Sequence, residues 1–142
     1  MKKILFVGGD KVIHSYWRNY FGNPFSPYFL EFALTQEEGL MLYGSQAEWN
    51  LVAVSSFVPS LKEPIPHYPY GVLNTLEMIK NIREKNPALP IFGIGGATEE
   101  IGRKMVEEAG CHCYARGLDA PERIIKYFET ADSNQSYQEV TG

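Results

Sequence analysis

Short apolar runs alternate with segments of helical periodicity along this chain, and the alternation limits the folds that it can adopt. The strand candidates are bounded by Gly, Pro or Asn and comprise Lys3–Val7, Phe29–Leu34, Leu51–Val54, Ile91–Ile94 and His112–Ala115. The third run is apolar without alternation, which is typical of a strand covered on both faces in a parallel sheet. The pattern therefore predicts an α/β fold.

Helical periodicity fills the intervals between the strand candidates. The predicted helices are Lys11–Phe21, Gln36–Tyr43, Val72–Lys85, Thr98–Ala109 and a last helix that begins at Pro121. Five strand–helix units predict a doubly wound parallel sheet, with helices on both faces, in a single domain over residues 1–129. A Pro- and Tyr-rich loop at 60–71 interrupts the pattern, and we expect the polar tail at 130–142 to be disordered.

Charge and hydropathy argue against nucleic acids and membranes as partners of this chain. The net charge of −4 argues against a nucleic-acid-binding surface, because phosphate contacts need clustered Lys and Arg. No run of about 18 apolar residues is present, so no contact with a membrane is predicted. Because a strand candidate follows Met1-Lys-Lys directly, with no leader-like segment, the expected location is the cytoplasm.

The cysteines and histidines form no recognisable metal-binding or catalytic motif. Cys111 and Cys113 flank His112, but a structural zinc site needs four ligands and no second Cys/His pair is available. We therefore predict small buried residues on a core strand, with neither a metal nor a cofactor. His14 and His112 are predicted to be packing or surface residues, whereas His67 lies in the Pro/Tyr loop and has more opportunity to contact a ligand or partner.

The carboxyl ends of the strand candidates lack carboxylates. Chemistry in open parallel sheets gathers at these ends, yet the third run continues into Ser55-Ser56 and the first into Gly8-Gly9. The fourth run is followed by Gly95-Gly96. We assign no catalytic residues to this edge and predict that the chain is not an enzyme.

Four segments in this order resemble the receiver domain of bacterial two-component response regulators. Lys3-Ile-Leu-Phe-Val7 resembles its first strand, Asn50-Leu-Val-Ala-Val-Ser-Ser-Phe-Val-Pro59 its third, and Pro90-Ile-Phe-Gly-Ile-Gly-Gly96 its fourth. Ala109-Gly-Cys-His-Cys-Tyr-Ala-Arg-Gly117 resembles the end of its fourth helix with its fifth strand. The resemblance covers about residues 2–129 and implies a flavodoxin-like sheet with strand order 2-1-3-4-5.

The positions that carry phosphorylation in that family are changed here. Receivers hold Mg²⁺ through carboxylates and a backbone oxygen, then transfer a phosphoryl group to an aspartate; hard cations of this kind prefer oxygen ligands. By resemblance, the acidic pair falls on Gly8 and Gly9, and the phosphoacceptor falls on Ser55. The switch hydroxyl falls on Gly95 and the essential lysine on Gly117. The resemblance therefore implies a degenerate receiver, or pseudo-receiver.

A few polar groups stay near these positions. Asp10 lies one residue beyond the acidic pair and Arg116 one residue before the lysine position, so a shift in register could bring either into the site. Ser56 adds a hydroxyl, but a serine is a poor nucleophile without an adjacent base. Tyr114 matches the aromatic switch position of the family. None of these residues replaces the acceptor.

The glycine turns admit a second interpretation. Gly-rich turns between a strand and a helix can cradle a phosphate or a nucleotide. The turn at Gly8-Gly9 fits neither the dinucleotide fingerprint nor a P-loop. At Gly95-Gly96, the acidic Glu99 and Glu100 would compete with an anion at the helix start. Tight turns are the favoured interpretation, and a small-ligand site is the alternative.

The combined prediction is a non-phosphorylatable receiver-like signalling domain that acts by protein–protein contact. By resemblance, the surface for a protein partner or a homodimer comprises Thr98–Ala109, His112–Ala115 and Pro121–Phe128. The alternative is a domain that binds a nucleotide, cofactor or other small molecule in the crevice at the strand ends. The loop residues His67, Tyr68 and Tyr70 are candidates for contacting a partner or ligand, or for covering the crevice.

Overall fold

The computed structural model describes residues 1–45, 48–62, 70–95 and 99–141. The strands are β1 Lys2–Val7, β2 Tyr28–Ala33, β3 Leu51–Ser55, β4 Ile91–Ile94 and β5 Cys113–Ala115. The helices are α1 Lys11–Phe21, α2 Gln36–Ser45, α3 Tyr70–Lys85, α4 Glu99–Arg103 and α5 Ala120–Thr141. A π-helical segment, Lys104–Ala109, continues α4 towards β5.

All strand pairs are parallel, and the sheet order is β2-β1-β3-β4-β5, as predicted. The register aligns the carboxyl ends of the inner strands. Val7 of β1 pairs with Val54 of β3, which in turn pairs with Gly93 of β4. The residues that follow these strands therefore meet at one edge of the sheet, which is the edge that carries the candidate site.

Both faces of the sheet are buried. Leu5, Val7, Val52 and Val54 belong to a core under α2, α3 and the α4 region, while the alternate residues of β1 and β3 belong to a second core under α1 and α5. The apolar residues of β3 are fully buried, which explains why the sequence of this strand shows no alternation.

The ends of several elements differ from their predictions. α5 continues to Thr141, into the segment for which a disordered tail is predicted, and no Gly or Pro between Pro121 and Thr141 supplies a stop signal. α3 begins at Tyr70 and therefore takes the last two residues of the predicted loop, while β5 begins one residue later than predicted. Within the described ranges, no helix is long and apolar enough to cross a membrane.

The predicted loop residues His67 and Tyr68 lie outside the described residues. Tyr70 is the first residue of α3, so the part of this loop nearest the helix is helical rather than irregular. The contact of His67, Tyr68 and Tyr70 with a ligand or partner stays a prediction.

Arg83 ties the carboxyl end of α3 to the two connections beside it. Its Nε and Nη2 donate to the carbonyl oxygen of Gly110, at 3.2 and 2.7 Å, and its Nη1 donates to that of Leu89 at 2.7 Å. Gly110 ends the π-helical segment with a φ of 103°, in the left-handed region that favours glycine. The planar guanidinium is needed because its donors must reach several carbonyls at once.

We expect Arg83→Lys to lower the free energy of unfolding by about 2 kcal/mol, because an ammonium group cannot reproduce the divergent hydrogen bonds to Gly110 and Leu89. Urea denaturation followed by circular dichroism measures this change. Arg103→Lys on exposed α4 is the matched control, with an expected change below about 0.5 kcal/mol. Equal stability of the two variants would contradict the role given to Arg83.

Candidate functional site

A cavity of about 420 Å³ opens at the carboxyl edge of the sheet. The described residues that line it come from the strand ends, the start of α1 and the loops that follow β3 and β5. They are Phe6, Gly9, Asp10, Ile13, Ser55, Ser56, Phe57, Pro59, Ile94, Gly95 and Gly117. The structure thus brings together six residues that the sequence singled out, although they are far apart along the chain: Gly9, Asp10, Ser55, Ser56, Gly95 and Gly117.

The backbone at Gly8 and Gly9 takes a conformation that favours glycine. Their φ angles are 88° and 80°, which place both residues in the left-handed region. A Cβ at Gly8 would lie 2.8 Å from the Cβ of Ser55, and one at Gly9 would lie 3.0 Å from Cε1 of Phe6. The turn therefore resists any side chain at either position, including the two carboxylates of the receiver pattern.

Ser55 ends β3 beside this turn. Its hydroxyl oxygen accepts a long hydrogen bond from the backbone N–H of Phe57, at 3.4 Å. Its carbonyl oxygen accepts a hydrogen bond from the hydroxyl of Thr75 at 2.9 Å. Among the described contacts, no histidine or carboxylate is bonded to the Ser55 hydroxyl, so none of the described residues is placed as a base to activate it.

Gly95 lies on the other side of Ser55, against the neighbouring serine. A Cβ at Gly95 would collide with Oγ of Ser56 and would lie 3.2 Å from the hydroxyl oxygen of Tyr114. The ring of Tyr114 also lies against Gly102 of α4, where an added Cβ would be only 2.7 Å from Cδ1. Tyr114 is therefore packed under α4 next to the cavity, in space that these glycines leave.

The loop after β5 is held by α1. The indole N–H of Trp17 donates to the carbonyl oxygen of Gly117 at 2.9 Å, and the hydroxyl of Tyr16 donates to that of Leu118 at 3.1 Å. An added Cβ at Gly117 would lie 2.9 Å from Cδ1 of Ile13. Arg116 is exposed and does not line the cavity, so it does not replace the family's lysine there.

Asp10 is the charged residue among the described residues that line the cavity. It is the N-cap of α1, and its Oδ1 accepts a hydrogen bond from the backbone N–H of Ile13 at 2.9 Å. A carboxylate at this place satisfies the free N–H groups and offsets the positive end of the helix dipole. The cavity wall is therefore acidic rather than anion-binding.

These residues do not fit the Mg²⁺ that the receiver resemblance implies. Hard divalent cations need several oxygen ligands, usually with more than one carboxylate for a Mg²⁺ site without phosphate. Here Asp10 contributes one carboxylate. The left-handed turn at Gly8-Gly9 leaves no room for the two acidic side chains that the receiver pattern has at these positions. Within the described parts of the chain, no group of three His, Cys, Asp or Glu side chains is placed to hold a metal ion.

His14, for which the sequence predicts a packing or surface role, is a neighbour of the site. It is buried, and its Nε2 lies 2.7 Å from the carbonyl oxygen of Gly8. Its ring packs against Phe32 with 4.3 Å between the ring centroids. The spacing of His14, Trp17 and Phe21 places all three on one face of α1, and this apolar stripe was the available sequence signal.

The cysteines lie away from the cavity and behave as packing residues. Burial raises the pKa of the Cys111 thiol to about 12, with a smaller contribution from Cys113. Burial also raises the pKa of Cys113, against the opposing charge of Arg123. Because the thiolate is the nucleophile and the metal ligand, these protonated thiols are poorly suited to either task.

We expect Gly8→Ala to destabilise the fold by about 2 kcal/mol, because the new Cβ would be forced into a left-handed backbone and against Ser55. Gly44→Ala is the control, since a Cβ at this exposed helical position meets nothing within 4 Å. The free energy of unfolding of this control is expected to stay the same or to rise by up to about 1 kcal/mol. Thermal and urea unfolding of both variants provide the comparison, and a neutral Gly8→Ala would refute the strained turn.

Comparisons with known proteins give a structural likeness only. No protein-family model matches the chain, and no curated protein matches it. Among solved structures, the signal receiver domain of an HD domain-containing protein from Pseudomonas fluorescens Pf-5 superposes with a TM-score of 0.70 at 19% identity, over 97% of this chain and 91% of that one. A CheY-like receiver domain protein from Methanospirillum hungatei JF-1 superposes with a TM-score of 0.69 at 20% identity, over 97% and 98%.

A longer protein contains the same arrangement. NtrX from Brucella abortus superposes with a TM-score of 0.71 at 16% identity, over 99% of this chain but only 30% of its own. Together with the predicted and observed strand order, these likenesses establish the fold. The chain has the fold of response regulator receiver domains.

Proposed function

We propose that this chain is a receiver-like signalling domain that acts through protein contacts and without phosphorylation. The observation that carries the proposal is the left-handed turn at Gly8-Gly9, packed against Ser55. In a phosphorylatable receiver, side-chain carboxylates stand at the equivalent of this turn. Here the backbone conformation of the turn opposes such carboxylates. The proposed loss of phosphorylation therefore involves the backbone as well as the identity of the side chains.

The other changed positions support the same conclusion. Ser55 has no described base to activate it, and Gly117 offers no ammonium group to stabilise a phosphoryl oxygen. Asp10 is engaged as the N-cap of α1. A signal passed on by this domain would therefore depend on which partner it meets, or on its own assembly, rather than on a phosphoryl group.

The proposed contact surface comprises the exposed residues of α4, the π-helical segment, β5 and α5, called here the α4–β5–α5 surface. Its charged members carry both signs and include Arg103, Glu107, Glu108, Glu122, Arg123 and Lys126, with the exposed Leu118 beside them. A two-fold interface places the same patch on both subunits, so a patch with both signs can be complementary to itself. β5 is also an edge strand of only three residues.

The proposal predicts that the chain does not react with phosphodonors. Incubation with Mg²⁺ and acetyl phosphate is expected to leave the intact mass unchanged, and beryllofluoride is expected to cause no Mg²⁺-dependent shift in amide NMR signals. A phosphorylatable receiver run in parallel is the positive control. Ser55→Asp should also stay unmodified, because it restores an acceptor without the pair at Gly8-Gly9. A mass increase of one phosphoryl group on the unsubstituted chain would sink the proposal.

If the α4–β5–α5 surface joins two copies, reversing its charges should weaken self-association. We expect Arg103→Glu with Arg123→Glu to raise the dimer dissociation constant about tenfold in sedimentation velocity, through repulsion between like charges. Lys80→Glu with Lys85→Glu on α3 changes the net charge equally and is the control. A chain that is monomeric at every concentration, or an equal effect of the control pair, would contradict the homodimer.

A further inference from the structure

We propose that the cavity at the carboxyl edge of the sheet binds a small, mainly apolar molecule that is neutral or cationic and donates a hydrogen bond to Asp10, Ser55 or Ser56. This goes beyond the proposed function, which needs no ligand. It also differs from the nucleotide or phosphate that glycine turns suggest.

The cavity lies where the strand ends meet. Gly9, Gly95 and Gly117 contribute backbone alone to its lining, and the volume is about 420 Å³. This volume lies within the range of sites that enclose small organic molecules.

Most of the wall is apolar. Phe6 and Ile94 come from the buried strands, Ile13 comes from α1, and Phe57 and Pro59 come from the loop after β3. Such a wall favours an apolar or aromatic body and gives a hydrated phosphate little compensation for its lost water. The bulk of the ligand is therefore expected to be uncharged.

The polar part of the wall is made of hydrogen-bond acceptors and hydroxyls. Oδ1 of Asp10 is bonded to the N–H of Ile13, whereas no described donor is bonded to its Oδ2. Ser55 and Ser56 contribute hydroxyls, and the described lining residues include no Lys, Arg or His. A hydrogen-bond donor on the ligand therefore finds an acceptor in the wall. A ligand carboxylate or phosphate would be repelled by the Asp10 carboxylate, and no described cationic side chain of the lining would offset that repulsion.

The loops after β3 and β5, which form the rim of the cavity, are already held in place by hydrogen bonds. The carbonyl oxygen of Pro59 accepts a hydrogen bond from the N–H of Gln36 at 2.8 Å, and that of Val58 accepts one from the side chain of Asn74 at 3.2 Å. On the other side, Trp17 holds the carbonyl of Gly117. Anchoring to α1, α2 and α3 lowers the entropy that binding would otherwise cost.

Three probes of the same shape but different charge test the ligand chemistry: benzamidine, benzamide and benzoate. Each is titrated to millimolar concentration into the ¹⁵N-labelled full chain, with inorganic phosphate as a fourth arm. We expect benzamidine and benzamide to shift the amide signals of Gly9, Ser55, Ser56, Gly95 and Gly117, and benzoate and phosphate to leave them in place. Equal binding of benzoate, binding of phosphate there, or no shift with any probe would overturn the proposal.

A substitution isolates the role of the carboxylate. Asp10→Asn keeps a good N-cap for α1 but removes the charge, so its affinity for benzamidine should fall about tenfold while that for benzamide changes little. Asp119→Asn, an exposed residue outside the lining, is the matched control and should change neither affinity. If the Asp10→Asn variant keeps the amide spectrum of the folded chain and binds benzamidine with unchanged affinity, then Asp10 does not contact the ligand.

Discussion

The rest of the structure depends on the burial of β1 and β3 on both faces at the centre of the sheet. Ile4, Phe6, Leu51 and Ala53 face one helical layer, and the residues between them face the other. Each large apolar side chain removed from water contributes about 1.5–3 kcal/mol. Helices are therefore required on both sides, and the parallel register then brings all the strand ends to one edge.

At that edge the backbone, more than any single side chain, determines the chemistry. The turn at Gly8-Gly9 is left-handed, and it lies so close to Ser55 that a Cβ at Gly8 has no room. The proposed absence of phosphorylation therefore rests on two separate features, which are the conformation of this turn and the serine at the end of β3. The cavity lies at this edge, and Asp10 gives it its charge.

Much of the fold could be predicted from local patterns. The short apolar runs and the helical stripes located the strands and helices of the described residues, and the prediction for Lys11–Phe21 matches α1 at both ends. The ends of α5 and of α4 were harder to predict. The polar residues after Phe128 carry no apolar stripe, yet without Gly or Pro the helix continues to Thr141. The change to π-helical hydrogen bonding at Lys104 leaves no mark in the periodicity.

The sequence by itself determined the alternating α/β architecture, the strand order implied by the receiver resemblance, and the absence of carboxylates directly at Ser55 and Gly8-Gly9. These features follow from periodicity and residue type, which are local. Only the tertiary structure decided that Asp10 caps α1 beside a cavity, that Arg116 stays outside it, and that His14 packs beneath the turn. Those outcomes depend on contacts between residues brought together by the parallel register, and such contacts leave no signal in the spacing of a single chain.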